Sequence, residues 1–112
     1  IRMTETKIIA FSQGDELAVQ RLVQDPSVAI NRLVLPSGQT VQPHVTETRA
    51  YMIVTDGTLT LALDKQPEQC YEAGKIVAIE ANTLLAISNK GPSTMRLFVI
   101  KPKQEPDSDG CR

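Results

Sequence analysis

One imidazole sets the limit on the chemistry this chain could do. His44 is the only histidine among 112 residues. Imidazole titrates near neutrality and ligates transition metals readily, but a stable metal site draws on about three protein ligands from His, Cys, Asp and Glu. Neither cysteine supplies a second ligand by spacing. Cys70 and Cys111 lie far apart and outside any C-x-x-C pair, which fits two reduced thiols better than a zinc knuckle or a disulfide framework. Ser12 and Ser37 have only His44 as a base, with no further sign of a triad. No Walker or dinucleotide glycine pattern occurs. Glu47, Thr48 and Arg49 follow His44 closely and read as a solvated turn.

The rest of the chain must position these groups. Its length fits one domain with one core, and 41% hydrophobic residues fit a globular chain. Twelve Lys and Arg against thirteen Asp and Glu leave a net charge of −1, which gives no basis for nucleic acid or an anionic membrane as partner. No apolar run reaches bilayer-spanning length. The N-terminus lacks the basic, apolar and small-residue succession of a signal peptide, so a cytoplasmic location is expected.

Short strands dominate the pattern. Residues 7–11 (KIIAF) read as a first strand. Residues 14–27 fit neither period cleanly; a strand, a strand with a bulge, or a short helix would all serve. Asp25-Pro26-Ser27 marks a turn, and 28–35 (VAINRLVL) a β-branched strand. Asp56-Gly57 joins two strands of a hairpin. After it Leu59, Leu61 and Leu63 alternate with Thr58, Thr60 and Ala62, so the leucines should face the core and the threonines solvent. Tyr51, of opposite parity to Ala50, should pack between sheets or at an interface. Two or three strands follow across residues 70–91, and 95–101 (MRLFVIK) closes the fold. The domain is expected over 1–101, with 102–112 a polar, disordered tail. About eight short strands and little or no helix mean an all-β sandwich or barrel.

Two stretches narrow this further. Gly38, five residues, His44, then Thr46, Ala50 and Gly57 follow the spacing of the first cupin motif. Gly74, five residues, Glu80-Ala81-Asn82, then Leu85 and Asn89 follow the spacing of the second. The chain therefore resembles a small single-domain cupin over residues 28–101, which implies an antiparallel jelly-roll β-barrel of the RmlC-like type. The resemblance holds in spacing and turn residues and departs in the ligands. Cupins with the full motif hold one divalent metal with histidines and a glutamate. Of those positions only His44 keeps its ligand, while Thr46, Ala50 and Leu85 occupy the others. The metal site is degenerate, and no cofactor is expected, with His44 the one ligand position left for any divalent ion.

Strand parity lists what should line the interior instead: Gln42, His44, Thr46, Ala50, Met52, Leu85 and Ile87, with Asn89 at the end of the wall. Glu47 has the opposite parity and should point away. Losing the carboxylate together with its metal is self-consistent, since an unpaired buried charge is costly. The wall suits a small apolar ligand with one hydrogen-bonding group near His44 and Gln42; side chains filling the space are the alternative. The resulting reading is a non-enzymatic binding or regulatory cupin. An enzyme (isomerase, decarboxylase or dioxygenase) built around His44 is a second reading. A homodimeric assembly module is a third, since cupins commonly pair through N-terminal strands, here within residues 7–35.

Overall fold

The computed structural model describes residues 6–103. Their nine strands form two antiparallel sheets and no helix. One sheet runs β1 (Ala18–Gln24), β2 (Val28–Leu35), β9 (Met95–Pro102), β4 (Ala50–Asp56) and β7 (Ile76–Ile79) in spatial order. The other runs β3 (His44–Thr46), β8 (Thr83–Ser88), β5 (Thr58–Leu63) and β6 (Gln69–Glu72). The expected jelly roll is present, but its sheets face each other without closing into a barrel. β1 and β7 stay edges of one sheet, β3 and β6 of the other. Pro43 has no N–H to give a ladder, and β3 starts directly after it and spans three residues, which leaves that corner unsealed.

Alternation drives the sheets together. Leu33 and Leu35 on β2, Met52 and Val54 on β4, Leu59 and Leu61 on β5, and Met95 and Leu97 on β9 point inward into one core, as period two requires. Leu85 and Ile79 complete it from β8 and β7. The leucine stripe of β5 is therefore the core face, with Leu59 and Leu61 buried and Leu63 half-buried. Asp56-Gly57 does not close the expected hairpin: β4 and β5 do not pair, and the turn carries the chain from one sheet to the other. Thr60 departs from its expected solvent position. It is buried on the outer face of β5, in register between Ser88 and Cys70, because small side chains on a central strand are shadowed by their neighbours. Tyr51 is half-buried on the outer face of β4, not between the sheets. Residues 18–24 take the bulged-strand alternative, with the register slipping between Arg21 and Val23. The turn after β1 is held by Asp25, whose carboxylate accepts the Ser27 and Val28 N–H groups. Those backbone N–H groups keep the carboxyl below the ordinary aspartate range.

Residues 7–11 are not a strand. They lead an arm that crosses the outer face of the larger sheet, fastened by two arginines rather than by a ladder. Arg32 Nε donates to the Ser12 carbonyl (3.1 Å), and Arg96 Nε to that of Gly14 (3.0 Å). The Arg32 guanidinium lies over the rings of Phe11 (4.9 Å) and Phe98 (4.5 Å), which meet edge to face. It is 3% exposed, and burial pushes its pKa down, although a guanidinium keeps its charge in proteins. A short apolar run satisfies the strand pattern, but here it trades sheet pairing for cation–π and aromatic contact. Phe11→Ala should cost about 1–2 kcal/mol and speed hydrogen exchange at the Ser12 N–H, now bonded to Gln20 Oε1 (2.8 Å). Unchanged exchange there would mean the arm is held by the arginines alone.

β9 continues to Pro102, one residue beyond the expected boundary, and the Lys103 N–H donates to the Ser27 carbonyl. Residues 104–112 of the expected tail, with Cys111, lie outside the described residues. Cys70 is exposed on β6. No helix among the described residues is long and apolar enough to cross a membrane.

Candidate functional site

The unsealed corner leads into a cavity of about 110 Å³ between the sheets. Its floor is apolar: Leu33, Met52, Leu85, Ile87 and Val99, with Val41 beside them. Each comes from the inward parity of its strand. Met52 pairs Val99 across β4 and β9, Leu33 pairs Leu97 across β2 and β9, and Leu85 pairs His44 across β8 and β3. The mouth carries Val19 from β1, Asn31 from β2, Lys101 from β9 and His44 from β3.

Of the residues expected to line the interior, His44, Met52, Leu85 and Ile87 come together around this cavity. Gln42 does not. It is exposed, and only its carbonyl takes part, accepting from His44 Nδ1 at 3.2 Å. With Nδ1 on that carbonyl, the other ring nitrogen, Nε2, is left for solvent or a ligand. Thr46 is also outside the lining. It is buried, and its hydroxyl donates to the Thr48 carbonyl (2.7 Å), curling the chain after β3. Ala50 is sealed in the core opposite Ile79 and reaches no free space. Gln42 leaves the wall because β3 begins only after Pro43, whereas Thr46 and Ala50 keep the inward parity of His44 and Met52 and are buried, but lie outside the lining of the cavity. Asn89 is likewise no cavity residue. Its side chain ties two loops, donating to the carbonyls of Leu35 and Ser93 (2.8 Å each) and accepting the Gly91 N–H (3.0 Å).

Lys101 and Asn31 escaped the sequence reading. Their signal was there: polar residues at inward parity within the apolar runs VAINRLVL and MRLFVIK. Glu47 is exposed, as its parity suggested. It sits in an outer groove with Arg49, Tyr51 and Glu80, where Arg49 and Glu80 form a 3.9 Å exposed ion pair.

The metal quartet of the family does not fit this chain. Thr46 spends its hydroxyl on a backbone carbonyl, and Ala50 and Leu85 carry no donor atom. Among the described residues no three His, Cys, Asp or Glu side chains come close enough to hold an ion. Asn82 has φ +63° where the second motif carries glycine, a left-handed position that asparagine tolerates.

Comparison with known proteins agrees with the fold. Residues 31–101 match the family described as Cupin domain. An uncharacterised protein of Methanocaldococcus jannaschii is 32% identical over 83 residues, covering 74% of this chain and 72% of the relative. The crystal structure of an RmlC-like cupin family protein with a double-stranded β-helix fold, from the same organism, superposes with a TM-score of 0.87 at 28% identity, over 90% of this chain and 94% of the other. A cupin superfamily protein of Desulfitobacterium hafniense superposes at 0.71 with 14% identity, over 85% and 84% of the two chains.

Proposed function

This chain belongs to the cupin family, and on that premise we propose that it binds a small apolar molecule between its sheets without the family's metal. The observation that carries the proposal is the cavity itself, floored by Met52, Leu85 and Ile87. A wholly packed interior would leave no such space. A cavity of about 150 Å³ accommodates benzene, so 110 Å³ suits about four or five heavy atoms. At the ceiling of roughly 1.5 kcal/mol per heavy atom, such a ligand binds no more tightly than about micromolar. An enzyme built on His44 finds less support: among the described residues its ring bonds only the Gln42 carbonyl, with no acid to orient it. We extend the proposal to a cytoplasmic protein that pairs with a second copy, a reading supported by Leu17 and Val19 exposed at the free edge strand.

The test uses neutral probes and a methionine methyl as reporter. Met52 lines the cavity, whereas Met95 is buried in the core away from it. Titration with isovaleramide and other neutral four- to six-carbon amides and alcohols should move the Met52 ε-methyl NMR signal saturably and leave that of Met95 in place. Val99→Phe, which fills the space, should abolish the shift. If no compound of the panel moves Met52 saturably, the cavity is not a binding site.

A further inference from the structure

The mouth of the cavity is polar in one sense only, and that sense is positive. Lys101 and Asn31 both face inward on the larger sheet. Asn31 pairs Val99, and Lys101 stands two residues further along the same strand, so the two are diagonal neighbours within reach of one small group. Arg21, opposite Asn31 across β1 and β2, is exposed and outside the lining. His44 closes the rim from the other sheet. No Asp or Glu lines the cavity.

Lys101 is half-buried, yet among the described residues no carboxylate lies within 4.0 Å of it. Glu47 shares a neighbouring groove with it but does not pair. Asn31 Oδ1 accepts from Gln24 (3.4 Å), which turns its Nδ2 N–H groups toward other acceptors. A half-buried ammonium beside free amide donors, at the entrance to an apolar hole, is the donor half of a charge-assisted hydrogen-bond set.

We infer that the cavity takes a short branched or linear carboxylate, with its carboxylate on Lys101 and Asn31 and its alkyl body against Leu33, Met52, Leu85 and Val99. This rests on the binding role proposed above and adds the chemical class. Direction follows from charge: an alkyl amine would meet Lys101 as a like charge, and a neutral head would leave the ammonium without a counter-ion. The geometry also sets size. Four carbons fill the floor and the carboxylate occupies the mouth, outside the enclosed volume.

Isovalerate and isovaleramide share one alkyl body and differ in head-group charge, so their comparison isolates the proposal. Titrated at low ionic strength with the Met52 methyl as reporter, isovalerate should bind about tenfold more tightly than the amide. That preference should shrink in 0.5 M salt through screening. Lys101→Met keeps the stem and strand register, and should abolish the preference of isovalerate over the amide. Asn31→Leu should lower isovalerate binding by a smaller factor. Equal affinities in the unaltered protein, or a preference that survives Lys101→Met, would overturn the carboxylate assignment and leave the cavity reading standing. If neither compound moves Met52, the cavity reading fails and takes this inference with it.

Discussion

Gly57→Ala is expected to destabilise the fold by about 3 kcal/mol, enough to lower the melting temperature by roughly 15 °C in a domain of this size. Gly57 turns the chain from β4 of one sheet into β5 of the other at φ +71°, a left-handed conformation that costs other residues roughly 1–2 kcal/mol. A methyl group there would also stand 2.5 Å from the Thr94 carbonyl oxygen and 2.9 Å from Met95 Cα. Both atoms are backbone, and the second opens β9, which is paired on both sides. Relief therefore requires moving a central strand, which adds strain to the conformational cost. Gly74→Ala supplies the control. Its φ is +95°, but an added methyl meets nothing within 4 Å, so only the conformational part applies, about 1 kcal/mol. Chemical denaturation of the two variants side by side checks the difference. Equal losses would show that the close approach to β9 relaxes without penalty.

Asn89→Ala should cost a similar amount, about 3 kcal/mol. Asn89 is 1% exposed, and its carboxamide serves three backbone groups at once: the Leu35 and Ser93 carbonyls and the Gly91 N–H. Its own backbone adds two more ties, from its N–H to Gln39 and from Gly38 to its carbonyl. The loop after β2 and the loop before β9 are thus fixed to each other through one residue. Removing the side chain strands buried donors and acceptors at about 1–3 kcal/mol each. Asn89→Asp should be worse at pH 8, about 4 kcal/mol, because a carboxylate has no N–H for either carbonyl and carries a buried charge. The sign of its pH dependence follows from linkage. Burial raises the folded-state pKa of such a group above its unfolded value, so the folded protein binds the proton more tightly. The penalty of Asn89→Asp should accordingly shrink as the pH falls toward 4, where a protonated carboxyl can donate to one carbonyl. Denaturation midpoints at pH 8 and pH 5 for the two variants test this. A penalty for Asp that does not change with pH would show that water reaches the site.

Much of this architecture was legible in residue order. The leucine alternation after Asp56-Gly57, the β-branched run at 28–35 and the spacing from Gly38 to Gly57 each specify a strand or a turn through local geometry. What escaped the sequence depended on contacts between distant segments. KIIAF has the composition of a strand, but Arg32 and Phe98 offer Phe11 a better partner than any sheet edge. Parity placed Met52, Leu85 and Ile87 at the cavity because β4 and β8 are regular. It misplaced Gln42, which lies before Pro43 and outside any strand; Thr46 and Ala50 do turn inward, but into packed surroundings away from the cavity, which parity alone does not distinguish. Lys101 and Asn31 carried a signal in their own strands, a polar residue at an inward position.

β1 combines two properties: it is one of the two edges of the larger sheet, and its Val19 borders the entrance to the interior. Any chain that adds a strand along that edge stands in the doorway. Occupancy of the interior and recruitment at the edge are then linked equilibria, and whatever factor one applies to the other is returned in equal measure.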